Sequence, residues 1–194
     1  MKLVSTMLLA AGLMIFACPA QAQYHPDPVD LNIPNIEQGT NNWCWAAVIA
    51  QILDRYSYGD TPSQCEVVNI SNTEDGNGSI NCCTNSSDPV CDRTSKSGGI
   101  ELNFFLRRYS VPHEIIEIPK TPEKVYEYLK DGKCLLVEIL RPEGNGVGHL
   151  FLVTGIYWEG DEAILRINNP AVPGRGIASF DKTYGGWRVV IAIG

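Results

Sequence analysis

The sequence predicts an α+β domain, with a helical N-terminal half packed on a C-terminal antiparallel sheet. Three observations carry this expectation. Residues 44–55, CWAAVIAQILDR, are a nearly all-apolar helical run, and a helix apolar on every side belongs at the centre of a fold. From Cys134 to Ile193 the chain breaks into five β-rich runs divided by Gly, Pro and Asn turns. Helices first and strands after is the layout of a segregated α+β domain. No internal repeat or linker divides the chain.

The elements follow in order. Residues 1–22 carry a positive Lys2, an apolar stretch from Leu3 to Phe16 and the small-x-small site Ala20-Gln21-Ala22. That pattern predicts a secretory signal peptide cleaved after Ala22, and one domain over residues 23–194. Ile15 to Cys18 faintly resembles a lipoprotein box, but Phe16 fits it poorly. Residues 23–37 read as an extended entry segment, because Pro26, Pro28 and Pro34 block helix. The helix from Cys44 can be capped by Asn41 or Asn42. Thr61-Pro62-Ser63-Gln64 opens a second helix, with Pro at its first position and a Thr-x-x-Gln capping box. Residues 72–99 are rich in Asn, Ser, Gly and Asp, a long loop that needs covalent staples. A third helix is expected over 99–109, a short strand over 114–118, and a fourth helix from Thr121-Pro122-Glu123 to Gly132. The strands are expected at 134–140, 150–156, 163–167, 176–180 and 187–193, as a meander.

Of 194 residues, 15 are Lys or Arg and 22 are Asp or Glu. An acidic chain without a basic patch argues against nucleic acid and anionic membranes as partners, and no later run is long enough to span a bilayer. Six of the seven cysteines remain once Cys18 leaves with the signal peptide. Adjacent Cys82-Cys83 and export favour two disulfides among Cys65, Cys82, Cys83 and Cys91 over a tetrahedral zinc site, with the connectivity open. Cys134 begins an apolar strand and reads as a buried free thiol. The bridged loop is placed to wall one side of a cleft.

The densest chemical signal is Gln38-Gly39-Thr40-Asn41-Asn42-Trp43-Cys44-Trp45-Ala46-Ala47. A thiol becomes a nucleophile as the thiolate, and unpaired N–H groups at a helix start favour that form. Cys44 stands where the helix begins, and Gln38 brings an amide donor suited to the oxygen of a tetrahedral intermediate. Of three histidines, His25 lies in the entry segment and His113 at a strand start. His149 follows a glycine-rich turn, Gly144 to Gly148, at the mouth of a strand, where it can accept the thiol proton across a cleft. Asn169, before Pro170, is the expected orienting partner of His149, with Asn168 as its alternative. The bland reading is that both asparagines only start a turn.

Gln38 with Cys44 six residues on, Cys-Trp-Ala-Ala opening a helix, Gly-His at a strand start and Asn before Pro together resemble the papain-like cysteine peptidases. The similarity is closest to compact bacterial members such as the plant-pathogen effector branch, and more distant to bacteriocin-processing peptidases. Secreted relatives also carry a Cys, Cys-Cys, Cys pattern like Cys65, Cys82-Cys83 and Cys91. The resemblance implies a helical half and a β half with the cleft between them. It also implies Gln38 as oxyanion donor, Cys44 as nucleophile, His149 as base and Asn169 as orienter. It implies no cofactor and no metal, and a peptide or protein as substrate. The same constellation serves acyl transfer or deamidation, and a non-catalytic disulfide-stapled binding module is the alternative outside enzymes.

Overall fold

The computed structural model describes residues 25–95, 100–140 and 148–194. The expected signal peptide, the Gly144–Val147 turn and the expected helix start at Gly99 lie outside the described residues.

The apolar run from Cys44 forms α1 (Cys44–Tyr56). Its cap differs from expectation. Trp43 occupies the cap position with no side-chain bond to the helix, while the Asn42 amide donates to the Asp92 carboxylate at 3.1 Å instead. The second helix, α2 (Gln64–Glu74), also starts later than expected. Its capping box is Ser63 with Glu66, the Ser63 N–H donating to Oε2 at 2.8 Å. Thr61 does not cap it because Gln64 is committed elsewhere: its side chain bonds the backbone of Glu37 and Gly39. The bridges are Cys65–Cys83 and Cys82–Cys91, which tie α2 to the loop and the loop to itself, so all four of these sulfurs are in disulfides rather than around a metal.

Next come α3 (Ile100–Arg108), β2 (His113–Ile116) and α4 (Pro122–Lys130). Thr121 caps α4 with Pro122 behind it, and Gly132 at φ 82° ends the turn, a conformation glycine takes without a Cβ penalty. The sheet continues with β3 (Cys134–Leu140), β4 (Gly148–Glu159), β5 (Glu162–Asn168), β6 (Gly176–Ser179) and β7 (Trp187–Ile193). β6 stops a residue early because Phe180 opens a short helix, α5 (Phe180–Thr183). A two-residue strand in the entry segment, β1 (Val29–Asp30), completes the set.

All pairings are antiparallel, in the order β2-β7-β3-β4-β5-β6, with β1 on β4. The expected meander therefore holds for β3 to β6 only. The last strand returns between β2 and β3. β3 and β7 are apolar on both faces, which makes them central strands. In β3, Cys134 and Leu136 join a cluster with Trp45, Ile49 and Phe105, while Leu135 and Val137 join one with Val125, Leu129 and Trp187. The sheet is thus covered twice: α1 to α3 contribute to one cluster and α4 and α5 to the other.

Candidate active site

The path of α1 decides which end of the sheet its first residue reaches. At its C-terminus, the Tyr56 hydroxyl donates to Gly132 O at 2.9 Å and accepts from the Cys134 N–H at 3.0 Å. The last turn of α1 is therefore pinned to the first residue of β3. Thirteen residues of helix extend about 18 Å, and β3 extends about 20 Å. α1 also packs on β4. Midway along α1, Gln51 accepts from Asn168 at the end of β5, which pairs with Leu152 on β4, so the helix runs on with its N-terminal tip, Cys44, toward the end where β3 finishes and β4 begins. His149 is at that end, opposite Ile139 in the strand register.

Cys44 is buried, 8% exposed, and takes part in neither disulfide. The first α-helical bond of α1 runs from Ala47 N–H to Trp43 O at 2.9 Å, and no side chain caps the tip. The positive end of the helix favours a negative charge that develops there. Cys134 is different. Complete burial pushes its thiol up to about 12, so it stays protonated and inert at neutral pH.

His149 is 6% exposed. Its Nε2 lies 2.7 Å from Asn169 Oδ1. The tautomer follows from a neighbouring bond. The Ala171 backbone N–H donates to the same Oδ1 at 3.0 Å. A backbone N–H only donates, so that atom of Asn169 is the oxygen, and His149 Nε2 must carry the proton. The neutral ring then has Nδ1 as its acceptor.

Asn168 does other work. Its amide donates to Ile33 O and to Gln51 Oε1, both at 2.9 Å, in full burial. It joins the entry segment, α1 and β5. Gln38 enters through its backbone, whose N–H donates to Pro170 O at 2.9 Å. That bond sets Gln38 beside the turn that holds Asn169. One amide proton of Gln38 goes to Thr40 O at 2.8 Å, which leaves the second for another acceptor. The structure thus brings His149 and Asn169 into contact, sets Gln38 against the next residue, and directs Cys44 to the same end of the sheet.

The other histidines stand apart. His113 bonds Val111 O and Asn103 Oδ1 near its ring nitrogens. His25 stacks on Trp158 beside Asp161, and the cavity they line with Asp27 and Gly160 is at the far end of β4 from His149.

The sequence reading missed Asn35, whose amide nitrogen lies 3.1, 2.9 and 2.6 Å from the carbonyls of Asn169, Val172 and Gly174. No local pattern marks it. Gln51 did leave a signal: it is polar in an apolar helix, where a buried amide needs partners.

A family model described as the Peptidase_C39 like family matches residues 30–187. The chain belongs to the Peptidase_C39-like family. A search of curated proteins found no match. The matched span takes in Gln38, Cys44, His149 and Asn169. Membership of the Peptidase_C39-like family supports a peptidase of the cysteine type, and the α+β architecture is compatible with it.

Proposed function

We propose that this protein is a secreted thiol peptidase with a papain-like arrangement of groups, in which Cys44 attacks, His149 moves protons, Asn169 orients the ring and Gln38 helps hold the oxyanion. One observation carries the reading: the 2.7 Å bond between His149 and Asn169, with its oxygen identified by Ala171. This bond makes Nδ1 the basic nitrogen. Such a ring is the general base that a buried thiol at a helix tip requires.

The Cys44 thiol gives its proton to His149 Nδ1, and the sulfur adds to the peptide carbonyl carbon. The oxyanion is met by the Cys44 backbone N–H and the remaining Gln38 amide proton. The C–N bond breaks as His149 returns the proton to the leaving amine, and the acyl group stays on sulfur as a thioester. Water, deprotonated by His149, adds to the thioester, and the thiol leaves with the proton restored. Two disulfides suit an oxidising compartment, and no described helix is long and apolar enough to cross a membrane. The bridges support export.

The test is labelling of the purified protein with an epoxide-type thiol reagent at neutral pH, followed by mass-spectrometric mapping. Cys44 should react far faster than free cysteine, and His149→Ala should slow it by about 100-fold. Slow labelling unaffected by His149→Ala would sink the reading. Fast labelling with peptides cut only when an acyl acceptor is added would redirect it to acyl transfer.

A further inference from the structure

The residues on both sides of Cys44 are held by one short stretch of the bridged loop. Trp43 Nε1 donates to Cys91 O at 2.8 Å, and Trp45 Nε1 donates to Arg93 O at 3.1 Å. Asn42 reaches the residue between them, donating to Asp92 Oδ1 at 3.1 Å. Both indoles are buried. Helix tips ordinarily fray, and this one has no side-chain cap. Its order comes instead from tethers 48 to 50 residues away in sequence.

The strip that receives the tethers is itself braced twice. Cys91 is bonded to Cys82, and both sulfurs are fully buried. Burial shields this bridge from exchange with thiols in solution, which makes it a strut rather than a switch. Arg93 donates to Ser71 and Asn72 on α2 and to Glu101 on α3, at 2.7, 3.1 and 2.9 Å. Its guanidinium also stacks 5.1 Å above the Trp45 ring. Glu101, 4% exposed, supplies a carboxylate to this partly buried cation.

We propose that Cys91–Arg93 is a positioning element for the nucleophile tip: it fixes Trp43 and Trp45 so that the sulfur and backbone N–H of Cys44 keep one orientation. The proposal rests on Cys44 being the nucleophile. Neither Asp92 nor Arg93 touches substrate in this account. Each acts through the residues flanking Cys44. Loss of a tether lets the tip rotate, and misplacement of reacting groups by about 1 Å costs up to 100-fold in rate. The cost falls on kcat, since the tip acts on the reacting carbonyl as it becomes an oxyanion and not on the rest of the substrate.

The experiment uses Trp43→Phe and Trp45→Phe, which keep a buried aromatic ring but remove the N–H along with part of the indole's volume, and the double variant Cys82→Ala/Cys91→Ala. Leu129→Ala on the opposite face of the sheet serves as a stability control. Melting temperature, epoxide labelling rate against pH, kcat and KM are measured for each. The expected result is a roughly tenfold fall in kcat and labelling rate for each tether variant. KM should stay within about twofold, and Leu129→Ala should lose several degrees of melting temperature with labelling unchanged. Tether variants that melt lower but label and turn over like the parent would overturn the proposal and make the strip purely structural. Failure of the parent protein to label at Cys44 would instead overturn the functional reading beneath it.

Discussion

Asn168 and Asn169 are chemically identical neighbours with opposite surroundings. Asn168 is wholly buried and bonds Ile33 and Gln51, whereas Asn169 is half-buried and meets His149. Asn168→Ala leaves the Gln51 carbonyl oxygen and Ile33 O with a lost donor in full burial. It should destabilise by about 1–3 kcal/mol, read as a lower urea midpoint. Asn169→Ala should barely move that midpoint but lower kcat at least tenfold, because the ring loses the acceptor that holds its tautomer. The reverse pattern would exchange the two roles. The residue types and their order along the chain were legible in the sequence. The choice between the asparagines was not, since it depends on which face each presents when β5 ends.

At the scale of elements, β1 shows how closely the entry segment is held. Gly155 on β4 pairs with Asp30 on β1, and a Cβ there would stand 2.6 Å from Val29 O. Backbone does not yield cheaply, so Gly155→Ala should cost about 1–3 kcal/mol. It should also raise hydrogen exchange at Leu31, whose N–H donates to Thr154 O; unchanged protection there would show that β1 tolerates the methyl. α2 offers a milder test. The Ser63 bonds hold the Glu66 carboxyl below the usual carboxylate range, and Ser63→Ala should cost about 1 kcal/mol by thermal melting. The helices were legible because caps, prolines and terminal glycines act locally. The start of α2 was misjudged by two residues because Gln64 is used by the Glu37–Gly39 loop, a tertiary demand that its own segment does not reveal.

Across the whole molecule, the entry segment is bound to the far end of the chain by charge as well as by backbone. Asp30 accepts from Arg175 at 2.6 and 3.1 Å and lies 3.3 Å from Arg166. The Arg175 hydrogen bond, aided by the Asn32 N–H and the charges of both arginines, holds the Asp30 carboxyl below its usual value. A carboxyl lowered by folding stabilises the native state above the unfolded value, near 4, and that stability is lost as pH falls through the folded value. The parent's urea midpoint should therefore drop more steeply below about pH 4 than that of Arg175→Gln. Parallel curves would remove the pair from the account. These long-range bonds also mark the limit of sequence reading. Hydrophobic periodicity, turn residues and helix-start signals are local properties of the chain; they determined the α+β class and nearly all of its elements, and they pointed to Gln38, Cys44, His149 and the Asn168-Asn169 pair as the candidates for chemistry. The tertiary structure alone decided that β7 enters between β2 and β3, that Asn169 rather than Asn168 meets His149, and that the Cys91–Arg93 strip clasps the tryptophans around Cys44. Each is a contact between segments far apart in sequence, set by which surfaces the packed core leaves adjacent, and no local pattern encodes that adjacency.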